Sequence, residues 1–436
     1  MDGLLLTGFL IVCLFVILGA GVWIGLALLG VGFIAMELFT SRPAGDAMVT
    51  TIWGASSSWT LTALPMFIWM GEILFRSKLS DDMFRGLAPW MGRLPGRLLH
   101  TNVVGCTIFA AVSGSSAATC ATIGKMTIPE LRRRGYPESM IVGSLAGSGT
   151  LGLLIPPSLI MIVYGVAAEV SIAQLFIAGV LPGLMLASLF MGYVVVWSTL
   201  NREQIPASDI VMTFAEKIYA SRHLLPSVFL IVVVLGSIYA GLATATEAAG
   251  VGVAGALILT AVQGSLSRAM FVESLLGATR LSCMIAFILA GAAFLTLAMG
   301  FTGLPRTLAE YIDSLQLSPG LLIAALTLFY VILGCFLDGI SMVVLTMAVV
   351  LPTIEKAGFD LIWFGIFVVV VVEMAQITPP VGFNLFVLQG MTGHQITYIA
   401  RVAFPYFLLM VVAVLLITVF PEIVTYLPRQ MIGKPG

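Results

Sequence analysis

Charge is scarce in this chain. Of 436 residues only 9% are Asp, Glu, Lys or Arg, against about a quarter in an ordinary soluble domain. The net charge of −1 gives no reason to expect nucleic acid as a partner. Histidine is rarer still, and His100, His223 and His394 all sit at the ends of apolar runs, which leaves no base placed for an intramembrane hydrolase. The five cysteines (Cys13, Cys106, Cys120, Cys283 and Cys335) lie in apolar or small-residue segments. Their spacing fits neither a disulfide frame nor a zinc site, so they read as packing residues. A G-x-x-x-x-G-K-[ST] phosphate loop is also missing, so no ATP hydrolysis is expected. Taken together these absences predict that the chain is not an enzyme.

Apolar residues make up 60% of the sequence and its mean hydropathy is +1.10. Residues 4–38, 98–112, 139–168, 171–199, 223–263, 283–303, 318–337, 360–391 and 402–422 are nearly free of charge. Most are long enough to cross a bilayer, which predicts about ten to twelve crossings in one integral membrane domain. Runs 4–38 and 223–263 are too long for one upright crossing. Each is therefore a tilted helix or two spans meeting at a glycine break. The start, Met1-Asp2-Gly3, lacks the basic flank of a cleavable signal peptide, so the first span is expected to remain as an anchor.

Five landmarks recur 223 positions downstream: Pro129, Gly135, Pro156, Pro157 and Pro182 map onto Pro352, Gly358, Pro379, Pro380 and Pro405. Further upstream, at a shift of 220, Gly21, Gly30, Val31 and Gly32 match Gly241, Gly250, Val251 and Gly252. One unit is present twice, and in an apolar chain that pattern marks a secondary transporter. The expected fold is an all-α polytopic membrane protein of two inverted-topology repeats, each with a re-entrant hairpin and a Pro-Pro-broken transmembrane helix. The first repeat spans 1–217, with a scaffold arm at 1–97, hairpin and broken helix at 98–170 and a closing helix at 171–200. The second spans 218–436, with corresponding parts at 218–317, 318–391 and 396–425. Residues 113–128 and 338–351 each read as a hairpin that dips halfway in and returns, ending in Pro129–Pro137 and Pro352–Asp360. Arg132, Arg133 and Arg134 place the first return in the cytoplasm, whereas Glu355 and Lys356 leave the second facing out. Residues 77–97 look like an interfacial amphipathic arm, with a less basic counterpart at 304–317.

A proline pair inside a span removes two backbone donors and splits the helix, freeing carbonyls on one side and a positive helix end on the other. Oxygen donors flank both breaks: Ser148, Thr150 and Ser158 at the first, Gln376, Thr378 and Asn384 at the second. The hairpin tips add Ser113, Gly114, Ser115 and Ser116 in one unit, and Asp338, aligned with Ser115, in the other. Two such clusters predict at least two sodium sites with the substrate between them. Asp338 is the carboxylate inside a re-entry and is assigned to sodium ligation over a plain hydrogen-bonded acid. Glu373 is placed in support of the second site. Glu247 reads as a packing brace or interfacial residue, and Lys125 as an anion attractor or a snorkelling side chain.

The paired blocks, with their RRRGYP return and LDG hairpin start, resemble the large membrane subunit of tripartite ATP-independent periplasmic (TRAP) transporters over essentially the whole chain. That resemblance implies a sodium-coupled importer of small organic acids, such as a dicarboxylate or sialic acid, in the bacterial inner membrane. It also implies an elevator mechanism, a small four-helix membrane subunit and a periplasmic substrate-binding protein. By the same likeness the first sodium site takes Ser113, Gly114, Ser115, Ser148 and Thr150, and the second takes Gly334, Asp338, Gln376 and Thr378. Ser116, Ser158, Gly339 and Asn384 become the substrate contacts. The competing expectation within transport is a stand-alone sodium/carboxylate symporter without a binding protein.

Overall fold

The computed structural model describes residues 3–206, 212–303, 317–380 and 382–432, and its regular elements there are all helical. The two overlong apolar runs each resolve into two helices. Run 4–38 becomes α1 (Gly3–Gly19) and α2 (Ile24–Phe39), with Gly21 at φ +80° between them. Run 223–263 becomes α13 (Leu225–Tyr239) and α14 (Ala245–Val262), with Gly241 at φ +70°. Positive φ is nearly cost-free for glycine alone, which is why the chain turns at these positions. Glu247 closes a capping box with Thr244 at the start of α14, so it is a helix cap rather than a packing brace.

Two groups of helices pack against each other. In the first, α15 (Arg268–Thr302), the longest helix at 35 residues, lies along α2, α3 (Ala44–Ser56) and α4 (Ala63–Phe75), while α14 packs on α4. The amphipathic α5 (Leu79–Met91) buries Met83, Leu87 and Ala88, packs with the short α12 (Phe214–Ser221) and leads to the second group. Its counterpart at 304–317 falls, apart from Leu317, outside the described residues.

The second group begins with α6 (His100–Ser113), which reverses at Gly114 (φ +61°) into α7 (Ser116–Arg133). Next come α8 (Glu138–Gly149), the short α9 (Leu151–Leu154), α10 (Leu159–Ala167) and α11 (Ile172–Leu200). The helices α16 (Pro319–Leu333), α17 (Gly339–Lys356), α18 (Leu361–Gln376), α19 (Phe383–Thr392), α20 (Ile396–Val419) and α21 (Glu422–Ile432) complete it. Corresponding positions adopt matching backbone. Pro156–Pro157 and Pro379–Pro380 are both cis, and Gly135 and Gly358 both have φ +77°. Pro182 and Pro405 both lie inside long helices.

The hairpins differ in extent from the sequence expectation. Residues 113–128 and 338–351 do not themselves double back. Each is the turn plus part of one unbroken return helix, α7 or α17, and the descending arms are α6 and α16. Pro129 and Pro352 sit within those helices instead of ending them. A proline late in a helix forfeits one hydrogen bond without stopping the chain. The two arms of the second hairpin are joined by the Tyr330 hydroxyl and Thr346 Oγ1, 2.8 Å apart. With 14 and 15 residues, α6 and α16 measure about 21–23 Å, short of a bilayer core of about 30 Å.

Candidate functional site

The site is built where helix ends meet. Ser115 caps α7, its hydroxyl accepting from the Ala118 amide at 3.4 Å. The matching Asp338 caps α17, accepting from the amides of Ile340 (3.1 Å) and Ser341 (3.2 Å) and from the Ser341 hydroxyl. Ser158, fully buried, caps α10. Each cap satisfies an orphan N–H and is worth about 0.5–2 kcal/mol. The amide ends of these helices carry a positive field that favours an anion.

At the first break α8–α9 and α10 are bent by 41°. The first hairpin tip rests in this bend. The Leu159 amide donates to the Gly114 carbonyl at 3.3 Å. Gly152 packs so closely that a Cβ there would lie 2.5 Å from Ser115 O and 2.6 Å from Ser116 Cα. The Ser116 hydroxyl lies 3.5 Å from the Thr150 carbonyl oxygen, and Ser113 Oγ is 2.6 Å from Thr119 Oγ1. Ser113, Gly114, Ser115, Ser116 and Thr150 are thus gathered. Ser148 belongs to the same segment, but its hydroxyl bonds back to the Ser144 carbonyl.

At the second break, a Cβ on Gly339 would lie 3.3 Å from Gln376 Nε2, and one on Gly382 would meet the carbonyl oxygens of Gln376 (2.7 Å) and Thr378 (3.0 Å). Gly334 is pressed against Ala375. Gly334, Asp338, Gln376 and Thr378 therefore share one neighbourhood. The residues anticipated as substrate contacts are more dispersed. Gly339 also approaches Ile160 beside Ser158, whereas Asn384 lies against Gly149, as does Cys120, one helical turn along α7 from Ser116. Both polar atoms of the fully buried Asn384 side chain lack a hydrogen-bond partner.

Glu373 does not support the second cluster. It is fully buried in α18 and accepts from the Ser116 hydroxyl and, at 3.0 Å, from the Leu153 amide, which places it at the first. Val372 and Gln376, one turn apart, face Gly339, and Glu373 points round the helix from them. A second missed contact is Asn102, whose amide ties α6 to Ser144 Oγ at 2.8 Å. Lys125 is exposed.

Beyond the apolar stretches, Arg132 and His394 converge on Glu138, with His394 Nε2 at 2.9 Å. The hydrogen bond from Arg132 holds the Glu138 carboxyl below the usual carboxylate range, against the opposing effect of partial burial. A cavity of about 780 Å³ lies between the two helix groups, bordered by Thr51, Ser58, Glu169, Thr296, Val344 and Met347, and none of the anticipated site residues lines it. Among the described residues no cluster of three or more His, Cys, Asp or Glu side chains could hold a metal ion, so any cation would rely chiefly on carbonyl and hydroxyl oxygens.

Among the described residues, five helices are individually long and apolar enough to cross a membrane, and three bent pairs also qualify. This is a multi-pass helical membrane protein whose polar interior sits at helix breaks. The model for the DctM component of tripartite ATP-independent periplasmic transporters matches residues 11–423, and the chain belongs to that family. It is accordingly a transporter component and not an enzyme. It is 32% identical to a C4-dicarboxylate TRAP transporter large permease protein of Pseudomonas aeruginosa, covering 92% of this chain and 93% of that one. It is 28% identical to a 2,3-diketo-L-gulonate TRAP transporter large permease protein of Escherichia coli, covering 88% and 90%. An isethionate TRAP transporter permease protein, DctMQ, of Oleidesulfovibrio alaskensis is 31% identical, with 94% of this chain matching 64% of that longer protein. In fold, the chain is similar to the crystal structure of the YdaH transporter of Alcanivorax borkumensis, with a TM-score of 0.64 at 13% identity over 92% of this chain and 98% of that one.

Proposed function

We propose that this chain is the large permease subunit of a sodium-coupled importer that carries a small organic acid across the bacterial inner membrane. A periplasmic binding protein delivers the substrate, and a small four-helix membrane subunit completes the complex. The observation that carries the reading is the pair of clusters in which a hairpin tip meets a broken helix. Split helices offer carbonyls to sodium and positive ends to a carboxylate. The relatives' names fit: C4-dicarboxylate and 2,3-diketo-L-gulonate carriers take organic acids.

In this reading the two halves are inverted repeats, and the hairpins with their broken helices move as one elevator body against the group built on α15. Sodium occupies Ser113, Gly114, Ser115, Ser148 and Thr150 at one end, and Gly334, Asp338, Gln376 and Thr378 at the other. Ser116, Ser158, Gly339 and Asn384 face the substrate. Unpaired cations cross lipid at high cost, so the body travels readily only when fully loaded or empty. The test is uptake of a C4-dicarboxylate by the reconstituted three-component system with and without an inward sodium gradient. Equal rates with potassium in place of sodium refute the coupling.

A further inference from the structure

We propose that Glu373 is the positioning residue that fixes the closed state of the first hairpin. The assignment rests on the hairpins being mobile, as in the transport reading above. One carboxylate oxygen of Glu373 joins three elements: α18, which carries it, the tip of α7 through the Ser116 hydroxyl, and α9 through the Leu153 amide. The residue comes from the second half of the chain and both donors from the first. Hydroxyl and amide approach the same oxygen, so the hairpin tip and the first broken helix are registered to each other through a shared acceptor.

A filler role does not account for the choice of residue. A buried carboxyl is expensive in an apolar interior, and an apolar side chain of equal length fills the space at lower cost. The carboxyl is instead spent on its acceptor function. It also fixes what Ser116 can do. A hydroxyl has one proton, and that of Ser116 is committed to Glu373 while the hairpin is closed. Ser116 can then accept from a ligand but not donate to it. Glu373 therefore acts on ligands through the placement of Ser116 and the neighbouring Thr150 carbonyl.

Cys120 supplies the readout, because it packs against Gly149 and Leu145 only while α7 lies on α8. In the full complex, with Cys120 as the sole remaining cysteine, the rate of modification by a small membrane-permeant methanethiosulfonate reports opening. E373M, which keeps the volume but removes the acceptor, is expected to speed modification about tenfold. E373Q, whose amide carbonyl accepts the same two bonds, is expected to restore protection relative to E373M. The proposal is overturned if E373M reacts at the wild-type rate, or if E373Q and E373M react alike. Should E373M fail to fold, judged by gel filtration, S116A carries the test, with the same acceleration expected and an unchanged rate overturning the proposal. Whether sodium slows modification in the unmutated background is read separately, so a failure of sodium coupling leaves the comparison of variants intact.

Discussion

Replacing Gly152 with alanine separates a moving interface from a static one. The added Cβ would meet Ser115 O, Ser116 Cα and Ser115 C at 2.5, 2.6 and 2.7 Å. All three are backbone atoms of the hairpin tip, which cannot give way as a flexible side chain would. Overpacking of this kind costs about 1–3 kcal/mol. The gain from alanine over glycine in a helix is the same whether the hairpin is open or closed, so it cancels. The full penalty thus falls on the closed state, lowering its population relative to the open one by about 5- to 150-fold. Gly143 is the control, since a Cβ there would lie 2.5 Å from the Val402 carbonyl oxygen in the α8–α20 contact. The transport reading assigns no opening motion to that contact. G152A is expected to lose substrate uptake while keeping near-normal thermal stability. G143A is expected to lower thermal stability, by the same 1–3 kcal/mol less the roughly 1 kcal/mol helix gain of alanine. If G152A transports with unchanged kinetics, or melts earlier than G143A, hairpin closure against Gly152 is not part of the cycle.

D338N keeps a capping side chain of equal quality but removes the charge, so it separates a helix cap from a cation ligand. The expected outcome is folded protein whose uptake needs at least about tenfold more sodium, and an unchanged sodium dependence removes Asp338 from the second site. E138Q tests the Arg132–Glu138–His394 junction. Because the carboxyl is held low in the folded state, its stabilisation is complete above the unfolded carboxyl value near 4.3 and fades as pH falls through the lower folded value. E138Q should therefore cost up to about 1 kcal/mol at neutral pH and progressively less below about pH 4, measured by thermal unfolding across pH. G241A places a side chain at φ +70° with no atom within 4 Å, so only backbone strain opposes it. A loss of about 1 kcal/mol in stability with normal uptake is expected, and a loss of uptake shows that the α13–α14 turn has a functional role.

What the sequence made legible was mostly local backbone chemistry. Gly21 and Gly241 marked where long apolar runs turn, because only glycine enters positive φ freely. The proline pairs marked the interruptions between α9 and α10 and between α18 and α19 for an equally local reason. Hairpin extent was harder. Pro129 and Pro352 suggested helix ends, yet a proline late in a helix is tolerated, so the reversal lies earlier, at Gly114 and near residues 334–338. Glu373 was assigned to the wrong cluster. Its partner Ser116 is 257 residues away, and no periodicity within α18 encodes which neighbour a side chain meets across that separation. The unpartnered Asn384 and the Asn102–Ser144 tie are products of tertiary packing of the same kind.

The hairpins lean on borrowed walls. Ser116 of the N-terminal half finds its acceptor on a C-terminal helix, and Gly339 of the C-terminal half lies against Ile160 of an N-terminal one. Neither half on its own supplies both partners of these contacts. A gene cut in the polar segment 201–222, which joins the two halves, should therefore give two fragments that are inert alone and active only when made together.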